Sequence, residues 1–308
     1  MLDWIYEAPG WFVGSLFALG SVALSLGGML LVRPIFHRLI HGQDRINEMV
    51  SLNIASFSLF YGIMLGLVAV GVFADFESTR DVIEREASTL TALYSDAKAL
   101  PEPGRTQLLT DLREYARFTI EKDWPQQIEG RVPRDGTQRL SLFQTHLLAV
   151  HTWSKSDEIA YAEAFGQFQK LVELRSSRLD RVTSEMPVIL WVVIIIGAML
   201  TILVIWMLDM EIHVHGILTA VLSLFLGIVF FYIAVMDKPF RGAPLLTPEP
   251  YEMAYRALIA EPIVARAQPA ADVSPVTAPV RAGAYETRDS TFDPQADRER
   301  RFRSTGFH

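Results

Sequence analysis

The sequence predicts an all-helical membrane protein with four transmembrane helices in two hairpins and a helical extramembrane domain between spans two and three. Three observations carry that prediction. Long apolar runs occupy 11–32, 52–74, 187–208 and 216–236, and a helix needs roughly 20 residues to cross the hydrocarbon core. The runs fall two and two around a polar segment, 75–186. Apolar residues in that segment recur at helical spacing and never alternate as in a strand. A bilayer satisfies no backbone polar group, so each run must close its own hydrogen bonds as a helix.

The elements follow in order. Segment 1–10 carries no Lys or Arg, and the run after it is longer than the apolar core of a signal peptide, so span one is expected to be retained. Gly14, Ala18, Ser21, Ser25 and Gly28 form a stripe of small residues along span one, which lets another helix approach closely. Arg33 and Pro34 are expected to end it. Span two runs without a breaker into a polar helix with one apolar face at Ile83, Ala87, Leu90, Tyr94 and Ala97. A turn at 100–104 leads to an amphipathic helix over 105–122, with Leu108, Leu112, Tyr115 and Phe118 on its inner side and Trp124-Pro125 as its stop. Trp124 is expected at a structural corner, its indole in the domain core. Two more helices are expected over 138–151 and 156–181. Pro187 suits the first turn of span three, and 209–215 is a tight turn into span four. The units are therefore a first hairpin, 11–74; a domain, 75–186; a second hairpin, 187–236; a juxtamembrane segment, 237–261; and a tail, 262–308. The tail is rich in Pro, Ala, Arg and Asp and is expected to be disordered.

Composition excludes several functions. A net charge of −7 argues against nucleic acid as a partner. The absence of cysteine removes disulfides, thiolate catalysis and cysteine metal sites. No zinc-protease, nucleophile-elbow, phosphate-loop or dinucleotide motif is present, so no enzyme activity and no cofactor are expected. No carboxylate or lysine lies mid-span, which weighs against proton-coupled transport.

Orientation draws on two opposed signals. Asp3 and Glu7 precede span one, and Arg33, Arg38 and Arg45 follow it. On the domain side stand Arg80, Arg85, Lys170, Arg175, Arg178, Arg181, Lys238 and Arg241. The wider count favours a cytoplasmic domain and cytoplasmic termini.

Segment 83–94 with Glu84, Arg85 and Glu86, then Leu100-Pro101, Asp123-Trp124-Pro125, Arg178-Leu179, Pro187, Leu190-Trp191 and Asp237-Lys238-Pro239-Phe240-Arg241-Gly242, resemble the bacterial bestrophin-like family over about residues 1–255. The resemblance implies an inner-membrane protein. It is similar, more remotely, to bestrophins, which are four-span pentameric ion channels with a helical cytosolic domain and a pore lined by span two. It therefore implies a homo-oligomer, a pentamer by that likeness, with the bilayer and inorganic ions as its partners. No copy of the bestrophin calcium-binding acidic cluster or aromatic neck is found here, so no calcium site or selectivity carries over.

That plan directs attention to span two. Ser51, Ala55, Ser58, Gly62, Gly66 and Ala69 make a small face, with Ser58, Gly62 and Gly66 as helix-packing candidates. Asn53, Ser56, Phe57, Phe60 and Met64 make another and are the pore-lining candidates. Rings of Phe and Met can gate by dewetting. The same face can equally meet lipid or neighbouring helices, and Asn53 can equally bond its own helix. Glu84 and Glu86 are vestibule candidates, or members of a solvated helix with i, i+4 pairs to neighbouring arginines. His37, His41, His213 and His215 fall in the two hairpin turns and are candidates for metal binding or pH sensing. Ordinary interfacial histidines are the alternative. The leading functional reading is an oligomeric ion channel or pore; the alternative is a non-conducting scaffold or sensor whose domain binds a protein.

Overall fold

The structure is a computed structural model. It describes residues 9–40, 44–208, 210–241 and 246–260, with backbone alone over 35–40 and 44–48. The expectations for the tail and for the His37 and His41 side chains lie outside these residues.

Among the described residues every regular element is helical. Helix α1 is Gly10–Ile40 and α2 is Asp44–Ala97. The domain adds α3 (Gly104–Phe118), a π-helical turn (Thr119–Asp123), α4 (Trp124–Ile128), α5 (Asp135–Leu148) and α6 (Lys155–Val182). Then come α7 (Val188–Trp206), α8 (Ile212–Asp237) and α9 (Glu249–Ala260). The helices α1, α2, α7 and α8 each contain a stretch long and apolar enough to cross a membrane.

Helix α1 does not end at Pro34 as expected. Its apolar stretch stops there, but the helix continues to Ile40 with the proline inside it. Helix α2 carries span two into the domain as one unbroken 54-residue helix. Its domain face is the expected one, with Ile83, Ala87, Leu90, Tyr94 and Ala97 all buried.

Packing pairs differ from sequence neighbours. Helix α1 lies mainly against α8, whereas α2 packs on both α7 and α8 and, within the domain, on α6. The small stripe of α1 is used as its residue types suggest. Ser21 donates to the Ser223 carbonyl at 2.7 Å. A Cβ at Gly227 would stand 2.6 Å from the Phe17 carbonyl oxygen, so the two backbones meet with no room for a side chain. Tyr61, Leu65, Val72, Ile194, Ala198, Leu226 and Ile233 form the core between α2, α7 and α8.

The domain core gathers Leu90, Leu93, Leu108, Leu112, Tyr115, Trp124, Phe143, Leu147, Phe168 and Leu171. Helix α6 begins with a capping box, Ser154 accepting from the Asp157 amide and Asp157 accepting from the Ser154 amide, which satisfies two donors that a helix start would leave unpaired. One expectation needs correction. Trp124-Pro125 does not stop the helical path. The π turn widens the ladder just before it, and Pro125 falls in the first turn of α4, where its missing N–H is not needed. The indole is buried against Phe240 and Tyr251. The described part of the juxtamembrane segment 237–261 also contributes to the domain core. Phe240, Leu246, Tyr251, Ala254 and Leu258 belong to the domain core, with Tyr251, Ala254 and Leu258 on one helical face of α9.

Candidate functional site

Helix α2 presents three faces in its span. The face packed within the protomer is Tyr61, Leu65, Val68 and Val72, anchored by the Tyr61 hydroxyl donating to the Ile194 carbonyl at 2.8 Å. It lies between the two faces that sequence periodicity singled out. The small face is open: a Cβ at Gly62 or Gly66 would meet nothing within 4 Å, and Ser58 is half-buried. Gly62 and Gly66 therefore meet no other helix within the protomer.

The five pore-lining candidates divide. Phe57 and Met64 are half-buried and pack on the Tyr61–Leu65 core, and Phe57 stacks on the Tyr61 ring. Asn53, Ser56 and Phe60 are exposed. Asn53 donates to the Met49 carbonyl and Ser56 to the Leu52 carbonyl, so both bond their own helix. Phe60 is 72% exposed and shares the outer side of α2 with Leu52, Leu59, Ile63 and Leu67.

The vestibule candidates also divide. Glu84 is exposed and accepts from Arg80 Nε at 3.0 Å, an i, i+4 pair on a solvated face. Glu86 faces no vestibule; the turn of α2 aims it into the domain, where it is fully buried. There its carboxylate accepts from Arg178 Nε at 2.6 Å and Nη2 at 3.2 Å, and from the Tyr115 hydroxyl at 3.2 Å. Arg178 also donates to Gln127 Oε1, and its guanidinium lies 5.5 Å from the Tyr251 ring centroid. Arg175, one turn away on α6, donates to Asp123 Oδ2 at 2.8 Å. Two arginines and two carboxylates thus form a neutral layer that ties α2, α3, α4, α6 and α9 together.

Electrostatics within the layer follow from its burial. Desolvation, reinforced by the Glu86 charge, pushes the Tyr115 phenol up to about 12. Burial likewise raises Tyr251 well above the usual phenol value. Desolvation is the largest single influence on Arg178 and opposes its charge, but Glu86, Tyr251 and Tyr115 together outweigh it and the guanidinium is held more firmly protonated than usual. The sequence reading missed this layer. The available signal was the run Ala164, Phe168, Leu171, Arg175, Arg178 and Val182, which sets two arginines on the buried stripe of α6.

The two described histidines of the second hairpin turn do not converge. The His213 side chain is 83% exposed. His215 is buried, with Nε2 3.0 Å from the Ile205 carbonyl across the α7–α8 turn. Among the described residues no group of three or more metal-ligating side chains occurs.

Four apolar helices joined to a helical domain define a multi-pass membrane protein. The bestrophin-like domain model matches residues 19–251, and the chain belongs to the bestrophin-like family. The fold is similar to that of a bacterial bestrophin homologue from Klebsiella pneumoniae, solved in several forms. One mutated form gives a TM-score of 0.60 at 14% identity, covering 80% of this chain and 98% of that one. A second gives 0.59 at 14% identity, covering 80% and 97%. The form phased on zinc gives 0.56 at 14% identity, covering 80% and 97%. No curated protein matches the chain.

Proposed function

We propose that the protein is an oligomeric ion channel or pore of the bestrophin plan, built by copies of this chain in the bacterial inner membrane with the domain and termini in the cytoplasm. The observation that carries this reading is the outer side of α2. Leu52, Asn53, Ser56, Leu59, Phe60 and Ile63 are exposed in the protomer. They sit on the helix that continues without a break into the domain. A conduit needs such an unpacked stripe, and membership of the family adds the expectation that span two supplies it. In an oligomer the open face of Ser58, Gly62 and Gly66 is suited to a neighbouring copy. Phe60 then stands as the hydrophobic constriction, and Glu84 as a charge at the domain mouth.

Ion flux into liposomes tests the reading. Chloride, potassium and sodium are compared for the wild type, Phe60→Ala and Phe57→Ala. A pore gated by Phe60 predicts flux that rises several-fold in Phe60→Ala with the oligomer intact. Phe57→Ala, which removes a packed ring, is expected to lower stability more than it changes flux. Absence of flux for every ion in both variants and wild type would favour the scaffold reading. The exposed Trp153, Leu148 and Ile159 on the domain surface give that reading its candidate docking area.

A further inference from the structure

Where α2 passes from its apolar stretch into the domain, a groove of about 560 Å³ is bounded by α2, the 183–187 connector and the end of α8. One end is apolar, with Met64, Leu67 and Leu190 on its walls, and belongs to the spans. The other end is polar, with Asp75, Thr79 and Arg181.

The charges at the polar end are unevenly matched. Glu185 is paired with Lys238 at 2.7 Å. Asp237 accepts from the Met186 amide at 2.6 Å and from Trp191 Nε1 at 3.3 Å. Arg181 donates only to hydroxyls, Nη1 to Thr79 at 3.2 Å and Nη2 to Ser78 at 3.0 Å. Neither Arg181 nor Asp75 meets an opposite charge among the described residues. One cation and one anion are thus left over at the mouth of a groove whose other end lies at bilayer depth.

We propose that this groove binds a bilayer phospholipid whose headgroup carries both a phosphate and an ammonium. The phosphate lies toward Arg181, whose planar guanidinium suits it, and the ammonium lies toward Asp75. The upper acyl chain lies along Val72, Met186 and Leu190, which at that depth would otherwise line an unfilled apolar cleft. A purely anionic lipid satisfies Arg181 but leaves its charge against Asp75. The headgroup selection therefore resides in the carboxylate. The proposal rests on the membrane placement of α2 and α7.

Native mass spectrometry of the full-length protein in detergent tests it, with dioleoyl phosphatidylethanolamine and dioleoyl phosphatidylglycerol added in turn. The wild type is expected to retain the ethanolamine lipid in preference. Arg181→Gln should weaken retention of both lipids about tenfold, the value of one charge-assisted hydrogen bond. Asp75→Asn, at an exposed position, should abolish the preference while keeping the glycerol lipid. Glu121→Gln, outside the groove, should behave as wild type. Size exclusion and circular dichroism report folding, and if Arg181→Gln misfolds the Asp75→Asn result decides alone. Equal retention of the two lipids by the wild type would overturn the proposal. So would a preference unchanged in Asp75→Asn.

Discussion

Glu86 and Arg178 are both fully buried, and the two ways of removing their pair differ in cost. Deleting one partner strands a charge in the core, which costs about 3–5 kcal/mol. Replacing both by apolar groups of similar volume removes the desolvation penalty together with the attraction. Arg178→Met alone should therefore lower unfolding stability by about 3–5 kcal/mol, and Glu86→Leu/Arg178→Met should recover most of it, as read by chemical denaturation in detergent. Gly136 closes the same layer from α5. A Cβ there would enter the space of Arg175 Nη2 and Asp123 Oδ2, and neither buried group has solvent to swing into. Gly136→Ala should cost about 1–3 kcal/mol in the same assay. The phenols of the layer set an alkaline limit. Tyr115 stays protonated up to about 12 in the folded chain, against 10.0 for a free phenol. Between those values the unfolded chain binds fewer protons than the native one, so stability falls as pH rises. Denaturation midpoints should drop across that window, and Tyr115→Phe should flatten the drop. None of this was legible from residue identity. An acid in the mixed-charge run from Arg80 to Glu86 reads as part of a solvated helix. Only the angular position of Glu86, on the same side as Ile83 and Leu90, sets it inward.

At the level of helices, periodicity located elements better than it located partners. The inner faces of α2 in the domain and of α3 were legible because a polar environment forces apolar residues to one side, although Phe118 at the end of α3 is only half-buried, under Arg139. In the spans that contrast disappears, since lipid and protein interior are both apolar. The Tyr61–Val72 face was therefore not distinguishable from its neighbours. What marked it physically was one tyrosine needing a partner within the bilayer, and Ile194 supplies it. The helix α9 was missed for another reason: its twelve residues are short for a helix and lie between a composition change and a polar tail, which masks the apolar face at Tyr251, Ala254 and Leu258. Its contribution is measurable. Leu258 is fully buried, and Leu258→Ala should cost about 2–5 kcal/mol of domain stability. A change below about 0.5 kcal/mol, the size of an ordinary surface substitution, would show that α9 only rests on the domain.

At the scale of the whole molecule, the class was legible because hydrophobic length is a physical requirement of the bilayer. The function was less so. The segments that carry the family resemblance include Glu86, Asp123, Trp124, Arg178, Trp191, Asp237 and Phe240. In the structure these residues occupy the buried ionic layer and the junction where α8 returns to the domain. They report how the domain is held to the spans rather than what passes between subunits, so the outer side of α2 could not be read from them.

The unbroken course of α2 has a mechanical consequence. At 1.5 Å per residue its 54 residues make a rod about 80 Å long. It has no internal joint between its part among the apolar helices and its part in the domain. A change in bilayer thickness or lateral pressure that tilts one end must swing the other, because a helix bends far less readily than the loops at its ends. The far end is clamped by the ionic layer, so the swing moves α3, α6 and α9 as a block. The bilayer and the domain are in this sense two ends of one lever, and a load placed on either is felt as displacement at the other.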